Sequence, residues 1–359
     1  MRAWPRDEDG REAGATGDPD AARRAETAAA IREAGIDLDP VIPGGHRHGE
    51  HHHGHAEEPA GEQANRRGAA DEPPVTGIVG GGAVGTALGV ALTRAGWPVH
   101  AVASRDSERR DRFRRAVEGA RGFAEATALI EEVELIVLAV PDDALAPLAA
   151  SLRMYSGQAM VHTSGALGAE VLAPAMAAGT QIGAFHPLVA FADTERAVAA
   201  LHGAAVAIEG DDQLAALLAR MAETIGAVPV RLAPGSKTAY HAAAVLAAGG
   251  LVALLDAIAE LGRVAGLDEA GSLAIYGPLV DQTLGNARAL GIRRALTGPI
   301  TRGDRGTLDA HLATLRTHAP GVLPLYRAAA IREIELAEAR GALTPDRAAD
   351  LRSSLASEG

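Results

Sequence analysis

The chain has 359 residues, 47% of them hydrophobic and 22% charged, which is room for two ordinary globular domains and excludes disorder throughout. A net charge of −12 with no clustered Lys/Arg stripe argues against nucleic acid as the main partner, because neutralising phosphates needs such clusters. With no cysteine there is no disulfide, thiolate metal site or cysteine nucleophile.

Residues 1–74 carry 16 acidic and 9 basic residues and few large apolar groups, so they read as a disordered, acidic arm with a transient helix over Ala21 to Ala34. The run His46, His48, His51, His52, His53 and His55 offers imidazoles to a divalent metal, but nothing fixes ligand geometry. A solvated low-complexity tract is the plainer reading, and no metal site is assigned. No apolar stretch follows Arg2, Arg6, Asp7, Glu8 and Asp9, so no secretory signal is expected.

Regular punctuation begins at Val75. Strands are predicted over Val75–Val79, Trp97–Ala103, Leu135–Val140, Ala159–Thr163, Ile182–Phe185, Ala204–Ile208 and Val228–Leu232. Helices are predicted over Ala83–Ala95, ended by Gly96, and over Gln213–Thr224. Near-continuous apolar strands separated by helices imply an α/β fold: a doubly wound, mostly parallel Rossmann sheet over 75–233. From 234 to 359 the strand signal stops and an all-α domain follows, broken at Gly266, Gly285, the Leu296–Gly306 loop and Pro320, with a helix from Thr307 to Arg316. Its longest uncharged apolar run, Ala242 to Leu255, is 14 residues, short of the roughly 20 that cross a bilayer, so no membrane span is expected. A cytoplasmic location is the default, and the apolar helix suggests burial across a two-fold interface.

Gly80-Gly81-Gly82-Ala83-Val84-Gly85 is a G-x-G-x-x-G directly after a strand and opening a helix. Gly80 permits the tight turn, Gly82 lets backbone approach a pyrophosphate, and Gly85 lets helix and strand pack closely; the helix N-terminus supplies free N–H groups. A merely structural Gly-rich turn is the alternative. The second strand ends in Ser104-Arg105 rather than in the acidic residue that holds an NAD ribose, so NADP(H) is favoured over NAD(H). Asp106 adjoins, and a solvated Arg105 is the competing reading. Val140 and Pro141 follow another apolar strand where the cofactor would pass, unless they only set a helix cap with Asp142 or Asp143. His162-Thr163-Ser164-Gly165 and His186-Pro187-Leu188 also fall at carboxyl ends of strands, which makes Ser164 and His186 candidate substrate contacts; a satisfied structural histidine is the plain alternative.

The single lysine of the chain, Lys237, lies four residues before His241, so on a helix the two share a face. A reductase needs a proton donor for the atom left anionic by hydride arrival, and Lys237, tuned by His241, is the candidate acid. A solvated lysine beside a packed histidine is the alternative. In the loop Ala295–Asp304, Thr301 and Arg302 are candidate substrate contacts, Arg302 through a bidentate pair with a carboxylate. A rigid turn capped by Asp304 or Thr307 competes with that reading.

Over about 75–345 the chain resembles Rossmann-like proteins carrying the domain of unknown function 2520. The resemblance rests on GIVGGGAVGTALG, on Phe185-His186-Pro187-Leu188, on Tyr240-His241-Ala242-Ala243-Ala244-Val245, and on Ala295–Asp304 with Thr307 and His311-Leu312 after it; Asn286 falls where the family pattern has asparagine. It implies a Rossmann domain followed by a helical one, distantly similar to pyrroline-5-carboxylate reductase and the 6-phosphogluconate dehydrogenase-like group. It also implies NAD(P) dependence and dimerisation through the helical part. Asn286 joins the substrate candidates on this basis. The family usually continues toward Ala-Ser-Asn, whereas this chain has Ala247-Ala248-Gly249, so two polar contacts are absent. Some relatives look linked to pantothenate synthesis, which makes a 2-ketopantoate-like 2-keto acid a candidate substrate. The function expected is reduction of a C=O or C=N bond in a small carboxylate; the alternative is a nucleotide-sensing module without turnover.

Overall fold

The computed structural model describes residues 24–29, 72–233 and 235–357. The His-rich run lies outside these residues. Residues 24–29 are helical, and Thr27 Oγ1 donates to the Gly203 carbonyl at 2.8 Å, so part of the arm expected to be disordered is ordered against the body.

The described chain forms two compact units, Met1–Ala244 and Val245–Gly359. In the first, β1 (Thr76–Val79), β2 (Val99–Ala103), β3 (Arg121–Phe123), β4 (Leu135–Leu138), β5 (Ala159–His162), β6 (Gln181–Pro187), β7 (Ala205–Glu209) and β8 (Val228–Arg231) make one sheet in the order β3-β2-β1-β4-β5-β6-β7-β8. Every neighbouring pair is parallel except β6 with β7. Between the strands lie α1 (Ala83–Arg94), α2 (Ser107–Ala116), α3 (Ala126–Ile130), α4 (Asp142–Ser151), a 3-10 segment (Ala169–Ala178), α5 (Thr194–Leu201) and α6 (Asp212–Thr224). Successive strand residues point to opposite faces, which divides the core. Ile78, Val137, Val161 and Phe185 pack on one side, while Val79, Ile136, Leu138 and Met160 pack on the other.

Eight strands stand where seven were expected. The additional one, β3, is a short edge strand reading Arg-Gly-Phe, with no alternation to announce it. Strand β6 runs on through His186 and Pro187, because β7 pairs antiparallel beside it, His186 opposite Ala207. At β1 and β4 the strand order reverses, so the helices after these strands leave in opposite directions and open a crevice at their carboxyl ends.

The change from strand to helix comes at α7 (Lys237–Val245), as expected, but the compact units divide seven residues further on, within that helix. A π-helical turn, Leu246–Gly250, occupies the stretch where the family's polar residues are missing, and it passes directly into α8 (Leu251–Val264). The continuous helix from Lys237 to Val264 is 28 residues, and its most apolar 18-residue window has a mean hydropathy of 2.1. By length and composition alone it is long enough to cross a membrane, because the helix continues past the 14-residue uncharged run through Asp256, Glu260 and Arg263.

The second unit continues with α9 (Glu269–Leu290), α10 (Ile292–Ala295), α11 (Pro299–Arg302), α12 (Arg305–His318), α13 (Leu323–Ala339) and α14 (Pro345–Ala356). Gly285 does not break α9; the roughly 1 kcal/mol that glycine costs a helix is too little to stop one of 22 residues. Ile300, Leu308, Leu312, Ile334 and Leu351 form a core among α11 to α14. By contrast, α8 and α9 leave Val252, Ile275, Leu279 and Leu284 exposed.

Candidate active site

The Gly-rich turn behaves as its sequence suggests. Gly80 has φ +114°, and a Cβ there would lie 2.1 Å from the Ala139 carbonyl oxygen. A Cβ on Gly85 would lie 2.0 Å from the Gly80 oxygen, so only glycine lets α1 close on β1. Gly82 differs: a Cβ there would meet nothing within 4 Å and would stand in open space. That space is a cleft of about 630 Å³, lined by Gly80, Gly81, Gly82, Ser104, Arg105, Val140 and Pro141 among others. Ala83 and Val84 form the first turn of α1 beside it, with free N–H groups. The residues therefore fit a dinucleotide: an open backbone cradle for phosphates, with a hydroxyl and a guanidinium at one end.

Asp106 lies on the same cleft and is partly engaged elsewhere. Its carboxylate caps α2 by accepting from the Arg109 backbone N–H at 3.0 Å and pairs with the Arg109 guanidinium at 3.3 Å. The cap bond holds this carboxyl below the usual aspartate range. Arg105 is exposed on the cleft wall. At the far wall, Pro141 is the N-cap of α4, and neither Asp142 nor Asp143 makes a side-chain cap bond.

At the ends of β5 and β6 a histidine cluster forms. His162 is fully buried and structural: its Nε2 lies 3.0 Å from the Gly168 carbonyl, and its Nδ1 accepts from the Ser164 N–H at 3.1 Å. Burial holds it neutral. Ser164 Oγ accepts from the N–H groups of Ala166 and Leu167, at 3.2 and 3.0 Å, leaving only its hydroxyl hydrogen for a ligand. Over Gly165 two imidazoles converge. A Cβ at that position would lie 2.3 Å from His241 Nδ1 and 2.6 Å from His186 Nε2, so the two nitrogens stand less than 5 Å apart. Tyr240 packs edge-on against His186, with ring centres 5.8 Å apart. Burial, followed by the charge of Lys237, lowers the His186 pKa to about 4, and burial raises the Tyr240 phenol to about 12.

Lys237 shares a helix face with Tyr240 and His241 but pairs elsewhere. Its Nζ is 3.1 Å from Glu209 Oε1, a charge contact off the line of a well-formed hydrogen bond. The other Glu209 oxygen accepts from the Ala169 N–H at 2.8 Å. Lys237 is 7% exposed; burial pushes its pKa below the usual lysine range and Glu209 opposes that shift. The pair lines a second cavity of about 570 Å³ with Glu170 and Arg231. The sequence places Gly165 and Tyr240 in motifs but assigns them no role, and it does not mark Glu209; strand pairing and helix phase bring the three to one corner.

In the second unit, Thr301 Oγ1 donates to the Gly298 carbonyl at 2.8 Å, and Asp304 caps α12 by accepting from the Thr307 N–H at 3.0 Å. The rigid capped turn considered above therefore exists. Arg302 is exposed at the end of α11, and Asn286 is exposed on α9.

Comparison with known proteins accords with this architecture. A solved protein of Bacteroides fragilis described as a proposed NADP oxidoreductase is 25% identical, with a TM-score of 0.62; the match covers 74% of this chain and 99% of that one. A Thermotoga maritima protein is also 25% identical over the same shares, with a TM-score of 0.58. Pyrroline-5-carboxylate reductase of Streptococcus pyogenes shares the fold at 17% identity, covering 74% of this chain and 99% of its own, with a TM-score of 0.52. No curated protein matches. The Rossmann-like domain model matches residues 62–187 and the model described as domain of unknown function (DUF2520) matches 204–332, so the chain carries one segment matching each of these domains.

Proposed function

We propose that this protein is an NADP(H)-dependent oxidoreductase that reduces a C=O or C=N bond of a small carboxylate. The observation that carries the reading is the 630 Å³ cleft, in which the open Gly82 cradle and the Ser104–Arg105 end of β2 line one space, with Asp106 capping the helix beside them. The description of the B. fragilis neighbour agrees with this cofactor. When bound, the nicotinamide supplies hydride. Of the chain's own residues, the Gly80–Gly85 turn would hold phosphates, Arg105 and Ser104 a 2′-phosphate, and Val140 and Pro141 the nicotinamide half. Lys237, paired with Glu209, supplies positive charge near the histidine cluster. Ser164, His186, Asn286, Thr301 and Arg302 are the proposed substrate contacts, with Arg302 as a carboxylate anchor. A 2-ketopantoate-like keto acid is one substrate of this class. A homodimer in the cytoplasm, covering the apolar face of α8 and α9, completes the reading.

NADPH oxidation assayed against a panel of 2-keto acids and cyclic imines tests it. Turnover of at least one, with Arg105→Leu weakening NADPH by roughly 10-fold or more and leaving NADH unchanged, is expected from loss of a charge-assisted contact. Tight NADPH binding with no oxidation by any panel member would instead favour a nucleotide sensor.

A further inference from the structure

We propose that the reducible group of the substrate is a carbonyl rather than an imine, and that Tyr240 donates the proton to its oxygen. This deepens the reductase reading and rests on it. Among the described residues, three side-chain atoms at this corner, His186 Nδ1, Tyr240 Oη and His241 Nδ1, are buried without a hydrogen-bond partner, and beside them Lys237 Nζ keeps its 3.1 Å charge contact with Glu209. A buried polar atom left unpaired is costly, so such a group of atoms marks a place where a polar ligand completes the bonding. Tyr240 and His241 both pack on His186, with ring centres 5.8 and 5.9 Å away, and Lys237, Tyr240 and His241 lie at i, i+3 and i+4 of α7.

The charges at this corner decide what the ligand is. A lysine, an imidazole and a protonated phenol are cationic or neutral, never anionic. The buried carboxylate nearby, Glu209, is already matched by Lys237 Nζ and the Ala169 N–H. Asp142 and Glu170 are exposed to water at the ends of α4 and the 3-10 segment. A protonated imine would bring a second positive charge beside the Lys237 ammonium, with only the water-exposed carboxylates of Asp142 and Glu170 left to offset it. A carbonyl develops negative charge on oxygen, which the Tyr240 O–H and the nearby ammonium stabilise.

Proton donation falls to Tyr240 because loss of a proton from Lys237 would leave Glu209 without its counter-charge. The step balances as follows. Hydride arrives at the carbonyl carbon from the reduced nicotinamide, which is the reductant consumed. The C=O π pair moves to oxygen, that oxygen takes the Tyr240 Oη proton, and the phenolate regains one from water.

Isothermal titration calorimetry with two unreactive acids separates the cases without turnover: oxamate, which presents a carbonyl oxygen, and piperidine-2-carboxylate, which presents a ring ammonium. Oxamate is expected to bind the wild type at least about tenfold tighter than piperidine-2-carboxylate. Tyr240→Phe should weaken oxamate about tenfold while leaving NADPH affinity and thermal unfolding unchanged. Equal or tighter binding of the ammonium acid, no binding of either acid, or an unaltered oxamate affinity in Tyr240→Phe overturns the proposal. Failure of NADPH to bind the wild type would overturn the reductase reading on its own, and the oxamate comparison would still report on the chemistry of this corner.

Discussion

Replacing Gly82 by alanine should weaken cofactor binding while sparing the fold. Gly82 has φ −79° and ψ −169°, extended backbone open to any residue, and its added Cβ meets no atom within 4 Å. The cost to the fold is that of exchanging glycine for alanine at an N-cap, on the order of a few tenths of a kcal/mol to 1 kcal/mol. A phosphate resting on the cradle would meet that methyl directly. Displacing it forfeits one charge-assisted hydrogen bond from backbone, about 1.5–3 kcal/mol, or roughly 10- to 150-fold in Kd. Gly80→Ala is the contrasting case: φ is +114° and the Cβ falls 2.1 Å from the Ala139 oxygen, so the fold itself is strained by about 1–3 kcal/mol or more. NADPH titration by fluorescence, paired with thermal unfolding of both variants, reads the two effects separately. A Gly82→Ala protein that binds NADPH within twofold of wild type, or that loses as much stability as Gly80→Ala, would refute the assignment of this turn to phosphate.

The remaining predictions concern the buried charges. His186 binds its proton at about pH 4 in the folded state and near 6.5 when unfolded, so the unfolded chain takes up more protons as pH falls. Stability should therefore decline from about pH 6.5 and level off near pH 4, by at most about 3 kcal/mol from this group; denaturant melts of His186→Gln should show a shallower decline over the same window. Glu209→Gln leaves a buried ammonium uncompensated and should cost about 3–5 kcal/mol at pH 7, whereas Glu209→Gln with Lys237→Met should recover much of that loss. Additive losses in a double-mutant cycle would show that the 3.1 Å contact contributes nothing.

What could be read from the sequence was what neighbouring residues determine. The Gly80–Gly85 turn, the Ser104–Arg105 strand end and the seven apolar strands each depend on residues adjacent in the chain, and the structure reproduces them. Lys237 stood out only because it is the single lysine. Its partner Glu209 lies 28 positions earlier, on the strand that turns antiparallel to β6, and strand direction at a sheet edge leaves no local mark. Gly165 resembles any loop glycine until two imidazoles, from β6 and α7, are seen to close over it. Three residues are too few for period-2 alternation to mark β3, and Gly285 looks like a break in the sequence although a single glycine is too weak a breaker to end a helix of 22 residues.

Calorimetric titration of the purified wild-type protein with NADPH and NADH is the most direct test of the central claim. Saturable binding of NADPH, with NADH weaker by about tenfold or more for want of the contact between Arg105 and a 2′-phosphate, is the predicted result. Folded protein that gives no heat with NADPH, or that prefers NADH, would contradict it.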